Sequence, residues 1–244
     1  LINPEEKKQE PSETARLKKR KRRRLWLLVD LGASLTVTAI MLILLLHRPV
    51  SYDPTKPTQT KEANTYWTHV VMPKIYNGAQ EQKPFDLEIS EEGINRIVAD
   101  SGWPKISEGA VFSEPQVKFT ADGITLMGTA TIENVNFIVT MVGKPVIDES
   151  GLLNLNISAF KVGALNVTPL AKVIARKMYA QHLADVRVNA ENLNAKVLNS
   201  LFYDKPFEPV FAVDDKKIKI AGITTEQGKL TIRFVNAGGR KAKK

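Results

Sequence analysis

Hydrophobic and polar positions along this chain change pattern three times, and each pattern predicts a different kind of element. The first is an unbroken apolar block. Leu25–Leu46 reads LWLLVDLGASLTVTAIMLILLL, with Asp30 as its one charge. As a helix it spans ~33 Å at ~1.5 Å per residue, enough for a hydrocarbon core of ~30 Å. The run Lys18-Lys19-Arg20-Lys21-Arg22-Arg23-Arg24 precedes it, and only His47 and Arg48 follow before a polar segment. Basic residues stay on the cytoplasmic side, so residues 1–24 are expected in the cytoplasm and everything after the block outside. Trp26 fits an interfacial anchor. A cleaved signal sequence has an apolar core of ~7–15 residues ending in small residues. This block is longer and ends Leu-Leu-Leu-His-Arg-Pro, so a signal anchor is the better reading.

The second pattern is polar and proline-spaced. Residues 47–61 predict a stiff linker. Beyond it, Trp67, Val70, Val71 and Ile75 stand near helical spacing, which predicts a short helix over Glu62–Tyr76 interrupted by Pro73.

The third pattern fills residues 62–237 and mixes two periodicities. Phe85–Ile89 reads as a strand. Ser90 then caps a helix with Glu91 and Glu92 in its first turn and Ile94, Ile97 and Val98 on one face, ended by Gly102 and Pro104. From Gln116 to Lys161 strand follows strand. Ile124, Leu126, Ala130 and Ile132 alternate with Thr125, Thr129 and Thr131; Val135, Phe137, Val139 and Met141 follow; Leu153, Leu155 and Ile157 alternate with Asn154, Asn156 and Ser158. Period two with turn residues between predicts an antiparallel meander with one face buried.

Thr168-Pro169 starts a helix running to about Ala184, with Leu170, Val173, Ile174 and Met178 on one face and Lys172 and Arg176 on another. A shorter helix, about Ala190–Phe202, leads to strands at Val210–Val213, Lys217–Ile223 and Lys229–Val235. One echo runs through the domain: Ile89–Val98 aligns without gaps on Val188–Val197, each a strand end followed by a capped helix. The predicted class is thus α+β, a transmembrane helix followed by an antiparallel, curved meander sheet packed with amphipathic helices. Its parts are 1–24 basic tail, 25–46 membrane helix, 47–61 linker, 62–237 extracytoplasmic domain and 238–244 basic tail.

Charge changes this picture little. The formal net charge of +9 invites a nucleic-acid reading, but residues 1–24 hold ten Lys/Arg against four Asp/Glu. Residues 238–244 add four more basic residues, leaving about −1 on residues 25–237. A nucleic-acid binder carries its basic stripe on the folded domain, so no nucleic-acid partner is expected. The absence of cysteine removes disulfides, thiolate metal sites and Cys nucleophiles.

Catalytic chemistry leaves no mark. No G-x-G-x-x-G, P-loop, H-E-x-x-H or G-x-S-x-G occurs, and His47, His69 and His182 lack metal-type spacing. Glu91-Glu92 is read as helix-dipole chemistry and Asp214-Asp215 as a hairpin turn. No enzyme activity, cofactor or metal is expected.

The order of parts resembles the YpmS family of membrane-anchored bacterial envelope proteins. The matching stretches are Glu92-Gly-Ile-Asn95-Arg-Ile97, Ile124-Thr-Leu-Met-Gly128-Thr, and Gly151-Leu-Leu-Asn-Leu155 through Lys161-Val-Gly163-Ala-Leu165-Asn-Val-Thr-Pro169. The N-terminal tail is longer than that family's. The resemblance covers roughly residues 25–235 and implies a domain similar to tubular lipid-binding domains, in which a curved sheet wraps a helix over an apolar groove. That groove would be lined by Leu170, Ile174 and Met178 on the helix and by Leu126, Phe137, Val139, Leu155 and Ile157 on the sheet. In the competing reading the same residues fill a closed core.

Two functions follow as expectations: a single-pass protein of the cell (inner or plasma) membrane binding a lipid or another apolar envelope molecule, or a non-catalytic assembly subunit of a membrane complex. In the second, Asp30, Gly32, Ala33 and Ser34 form the contact face toward partner subunits. The lipid bilayer is a partner in both.

Overall fold

The structure, a computed structural model, describes residues 13–57, 63–81, 83–107, 109–185 and 193–237. The chain divides into two compact units, Leu1–Leu44 and Leu45–Lys244.

Unit one is dominated by α1 (Glu13–Leu45). The helix runs without a break from the basic segment into the apolar block, so the later half of the basic tail is helical. Within it Arg22–Leu45 has a mean hydropathy of 2.2 and buries none of its side chains in the protein. It is long and apolar enough to cross a membrane.

Unit two is α+β. Its helical opening comprises α2 (Ala63–Tyr66), a π-helical turn (Trp67–Val71) and α3 (Met72–Glu81). Next come β1 (Phe85–Ser90), α4 (Glu91–Ala99), β2 (Lys105–Ser107), β3 (Ala110–Thr120), β4 (Gly123–Ile132) and β5 (Val135–Gly143). The chain continues through β6 (Val146–Ile147), β7 (Leu153–Asn154), β8 (Ile157–Val162), β9 (Leu165–Asn166), α5 (Thr168–Asp185) and α6 (Leu193–Tyr203). It closes with β10 (Val210–Val213), β11 (Lys216–Glu226) and β12 (Lys229–Asn236).

The meander expected over Gln116–Lys161 is present as β3-β4-β5-β8, and the last three strands form a separate antiparallel sheet with β1. That sheet has the order β1-β12-β11-β10, the other β2-β3-β4-β5-β8-β9, and β6 pairs only with β7. Neither sheet closes into a barrel. The separation rests on a contact between residues 85 and 234 that local periodicity cannot report.

The first sheet makes a closed core. Phe85, Phe234 and Ile220 share a row across β1, β12 and β11, and Leu87, Ile232 and Ile223 share the next. Val71, Ala79, Tyr66 and Ile75 of the helical opening cover this face. Pro73 does not interrupt that opening. The π turn before it already bonds Met72 N–H to the Trp67 carbonyl, and the widened turn accommodates the hydrogen bond Pro73 lacks.

Helix α4 locks the two sheets together. Ser90 Oγ accepts from Gly93 N–H at 3.1 Å as the helix cap. The Tyr66 ring lies against Gly93 so closely that a Cβ there would sit 2.3 Å from it, which is why the first turn holds a glycine. Buried Asn95 extends the edge of β3 like a strand residue: its amide donates to the Val117 carbonyl and its oxygen accepts from Val117 N–H, both at 2.7 Å. Glu91 serves more than the helix dipole, because its carboxylate accepts from Phe119 N–H at 2.8 Å. Val117, Phe119 and Leu230 form the core between these parts. In the repeat expected at Val188–Val197, the strand end and cap lie outside the described residues.

The second sheet buries residues on both of its faces. Cross-strand register places Gln116, Met127, Thr140 and Lys161 in one row and Ser113, Thr129 and Ile138 in another, all on the threonine-rich face. Met127, Thr129, Ile138 and Thr140 are buried. The alternate face buries Val117, Phe119 and Ala130 and carries Leu126, which is 39% exposed, together with exposed Phe112, Ile132 and Val135.

What covers the polar face is the segment read as a free linker. Tyr52 is 3% exposed and packs on Met127 and Ile138. Its hydroxyl donates to the Glu114 carbonyl at 2.7 Å and shares a 2.9 Å hydrogen bond with Thr129 Oγ1. Asp53 N–H donates to Gln116 Oε1, and the Arg48 guanidinium stands over the Tyr52 ring at 5.1 Å. Residues 49–57 are therefore a strap bound to the domain, because the one aromatic in a polar segment meets apolar and hydroxyl partners together.

Burial pushes the Tyr52 phenol above its ordinary value of 10.0. The folded state thus favours the protonated phenol, and its stabilising contribution is complete below pH 10 and lost as pH rises beyond it. Tyr52→Phe, by removing the donor to the Glu114 carbonyl and one partner of buried Thr129, should cost about 1–3 kcal/mol at pH 8. Urea unfolding should show that gap narrowing above pH 10.

Candidate functional groove

Helix α5 begins where the second sheet ends. Thr168 Oγ1 accepts from Phe160 N–H at 2.7 Å, tying the helix start to β8, and the Val167 carbonyl accepts from Ala171 N–H at 2.8 Å. Pro169 occupies the first turn, where a missing N–H costs nothing. Farther along, Arg176 Nε donates to the Phe202 carbonyl at 2.7 Å and Tyr203 Oη donates to the Arg176 carbonyl at 3.1 Å. These reciprocal bonds hold α6 beside α5. Ser200, fully buried, accepts from Leu155 N–H at 2.9 Å and so fixes α6 to the chain after β7.

Between α5, α6 and the sheet lies a groove of about 480 Å³. Met141, Ile157, Phe160 and Val162 form its sheet wall, Leu170 and Ile174 stand on the helix, and Phe202 closes it from α6. Val167, Ala171 and Lys172 complete the lining, with Lys172 the one charged side chain among the described residues. Leu170 is 60% exposed and Ile174 49%. A helix face buried in a closed core would not show these values.

The apolar lining continues past the groove. Met141 shares a row with Val117, Leu126 and Phe160; Val162 shares the next with Val139 and Gly128; Phe112, Ala130 and Phe137 form a third. At Gly128 a Cβ would meet only the Ser113 carbonyl, at 3.5 Å, so the row carries a bare gap. One apolar strip thus runs from α5 across β8 and β5 to β4.

The expected groove residues divide accordingly. Ile157, Leu170 and Ile174 line the groove. Leu126, Phe137 and Val139 lie on the same sheet face beyond it. Leu155 is half-buried and is not part of the lining; its backbone is held by Ser200. Met178 belongs to α5, but its side chain lies outside the described residues.

Helical spacing puts Lys172 on another face than Leu170, yet it borders the groove, which also reaches Phe202 of α6. Phe160 and Val162 escape sequence reading for a different reason. The expected strand through Leu153, Leu155 and Ile157 is two short strands, and β8 carries a bulge: Val142 pairs Ala159 whereas Gly143 pairs Ile157. The extra residue, Ser158, switches the alternation from odd to even positions. The visible signal was the apolar pair Phe160 and Val162 flanking Lys161.

In α1 the second predicted contact face splits. Asp30, Ala33 and Ser34 share a side at spacings of three and four, whereas Gly32 falls roughly 200° round the helix from Asp30. All four are exposed in the protein.

Among the described residues no three His, Asp or Glu side chains converge as metal ligands. Asp215 pairs with Lys216 at 3.0 Å beside Asp214, whose φ of 53° forms the β10–β11 turn. The ammonium contact holds the exposed Asp215 carboxyl below its ordinary range.

An open strip and a covered face predict opposite responses at adjacent positions. Leu126→Ala should cost less than about 1 kcal/mol, whereas Met127→Ala should cost about 2–5 kcal/mol. Urea unfolding of the two variants measures the contrast. No family model, curated protein or solved structure matches this chain.

Proposed function

We propose that the chain is a single-pass membrane protein, its N-terminus cytoplasmic, whose extracytoplasmic domain holds a lipid or another apolar envelope molecule in the groove between α5 and the second sheet. The observation that carries this reading is the apolar strip, half-open to solvent beside α5, on a sheet whose other face is covered in its middle. An apolar groove of about 480 Å³ falls within the ~300–1,000 Å³ of small-molecule sites. The block Leu25–Leu46, with basic residues before it, supports the membrane placement. The resemblance to YpmS-type envelope proteins points the same way. The proposed activity is binding without turnover.

Lipid analysis by mass spectrometry of the full chain, gently extracted and purified, tests the proposal. One lipid per chain is expected to remain, and Ala171→Trp, which puts an indole into the groove, should reduce it at least about tenfold. Equal lipid content in both proteins would overturn the reading.

The rival role is an assembly subunit, supported by Asp30, whose carboxylate interrupts the apolar helix and in a bilayer calls for a partner. Co-purification of stoichiometric partners that Asp30→Leu abolishes, together with an empty groove, would favour it.

A further inference from the structure

Charge is unevenly placed around the groove. On the α5–α6 side one carboxylate faces two cations: Asp204 Oδ2 lies 3.6 Å from Lys172 Nζ and 3.8 Å from Arg176 Nη2. Arg176 is committed. Its Nε bonds the Phe202 carbonyl and its guanidinium stands over the Tyr203 ring at 5.6 Å. Lys172 is held differently. The 3.6 Å pair with Asp204 is longer than a hydrogen bond, its stem borders the groove, and its side chain is one-quarter exposed. Lys161 belongs to the opposite sheet face, in the row of Met127 and Thr140. Within this triad one positive charge is in excess, and Lys172, held among the described residues only by the 3.6 Å ion pair, carries it at the edge of an apolar channel.

We infer that the groove selects an amphiphile with an anionic headgroup, a carboxylate or phosphate, bound by Lys172 while one acyl chain lies along Phe160, Met141 and Leu170. The inference rests on the proposed occupancy of the groove and names its ligand class. At roughly 30 Å³ per heavy atom, as in liquid water, the groove takes about sixteen heavy atoms, the bulk of a single acyl chain. When the anion arrives, Lys172 turns its ammonium to it and Arg176 keeps Asp204, so no buried charge is stranded. The chain supplies affinity through burial, and the ammonium supplies discrimination through a charge-assisted hydrogen bond.

Photo-crosslinking on the full chain in phosphatidylcholine nanodiscs tests this. The probes share one diazirine-bearing C16 chain and end in a carboxylate (palmitate), a phosphate (lysophosphatidic acid) or a hydroxyl (palmityl alcohol). Tryptic mapping reads the yield on the peptides containing Phe160 and Leu170. At least one anionic probe should label about tenfold more than the alcohol, the weight of one charge-assisted hydrogen bond. Lys172→Met should bring its yield down to the alcohol's, and Lys172→Arg should restore most of it. Preference for palmitate identifies a fatty acid, preference for the lysophosphatidic acid a phospholipid-type ligand, and both support the inference. Equal labelling by all three probes, unchanged in Lys172→Met, overturns the headgroup selection and leaves the groove standing. No labelling by any probe overturns the groove itself.

Discussion

The structure depends on which face of the second sheet the chain covers. An antiparallel sheet with alternating sequence offers one apolar and one polar face, and burial of the apolar one is the ordinary outcome. Here the middle of the polar face is covered, around Met127, Thr129, Ile138 and Thr140. The Tyr52 hydroxyl bonds Glu114 and Thr129 while its ring packs on Met127 and Ile138, so polar surface is removed from water with those groups paired, and Thr140 Oγ1 is the buried hydroxyl left without a partner among the described residues. With that middle covered by the strap, the apolar face is left to α4 and β12 at one edge and to α5 at the other. Between them it stays half-open.

That partial cover is what gives the domain a channel. Helix α5 is attached at two places, to β8 through Thr168 and to α6 through Arg176 and Tyr203, and neither attachment uses the apolar side chains facing the sheet. Leu170 and Ile174 are consequently positioned over Phe160 without being packed into it. The first sheet shows the contrasting solution. Its apolar face meets the helical opening and α4 directly, and Leu87, Val71 and Phe234 are buried there. One domain thus contains a closed core that stabilises it and a second, incompletely covered surface suited to a guest.

Much of this was legible in the residues. The apolar block, the Ser90 cap, the turn at Asp214-Asp215 and the last three strands follow from local chemistry and appear where that chemistry puts them. Local chemistry failed where distant contacts decide. The pairing of β12 with β1, the docking of Tyr52 and the burial of Thr129 each join residues roughly 60 to 150 positions apart, beyond any alternation rule. The groove was half legible for the same reason: Ile157, Leu170 and Ile174 declare themselves by period, whereas the bulge at Ser158 hides Phe160 and Val162. Lys172 was invisible as a groove residue because helix periodicity assigns a face but not the neighbour that face meets.

The central claim is that the middle of one sheet is covered on its threonine face and half-open on its apolar face. Met141 and Met127 test it most directly, since they sit on neighbouring strands and face opposite ways. Peroxide oxidation of the delipidated chain, followed by peptide mass spectrometry, reports each thioether separately. The account predicts that Met141 is oxidised well before Met127, with exposed Met72 as the fast reference. Equal protection of Met141 and Met127 would mean that the apolar face is closed and that the channel does not exist.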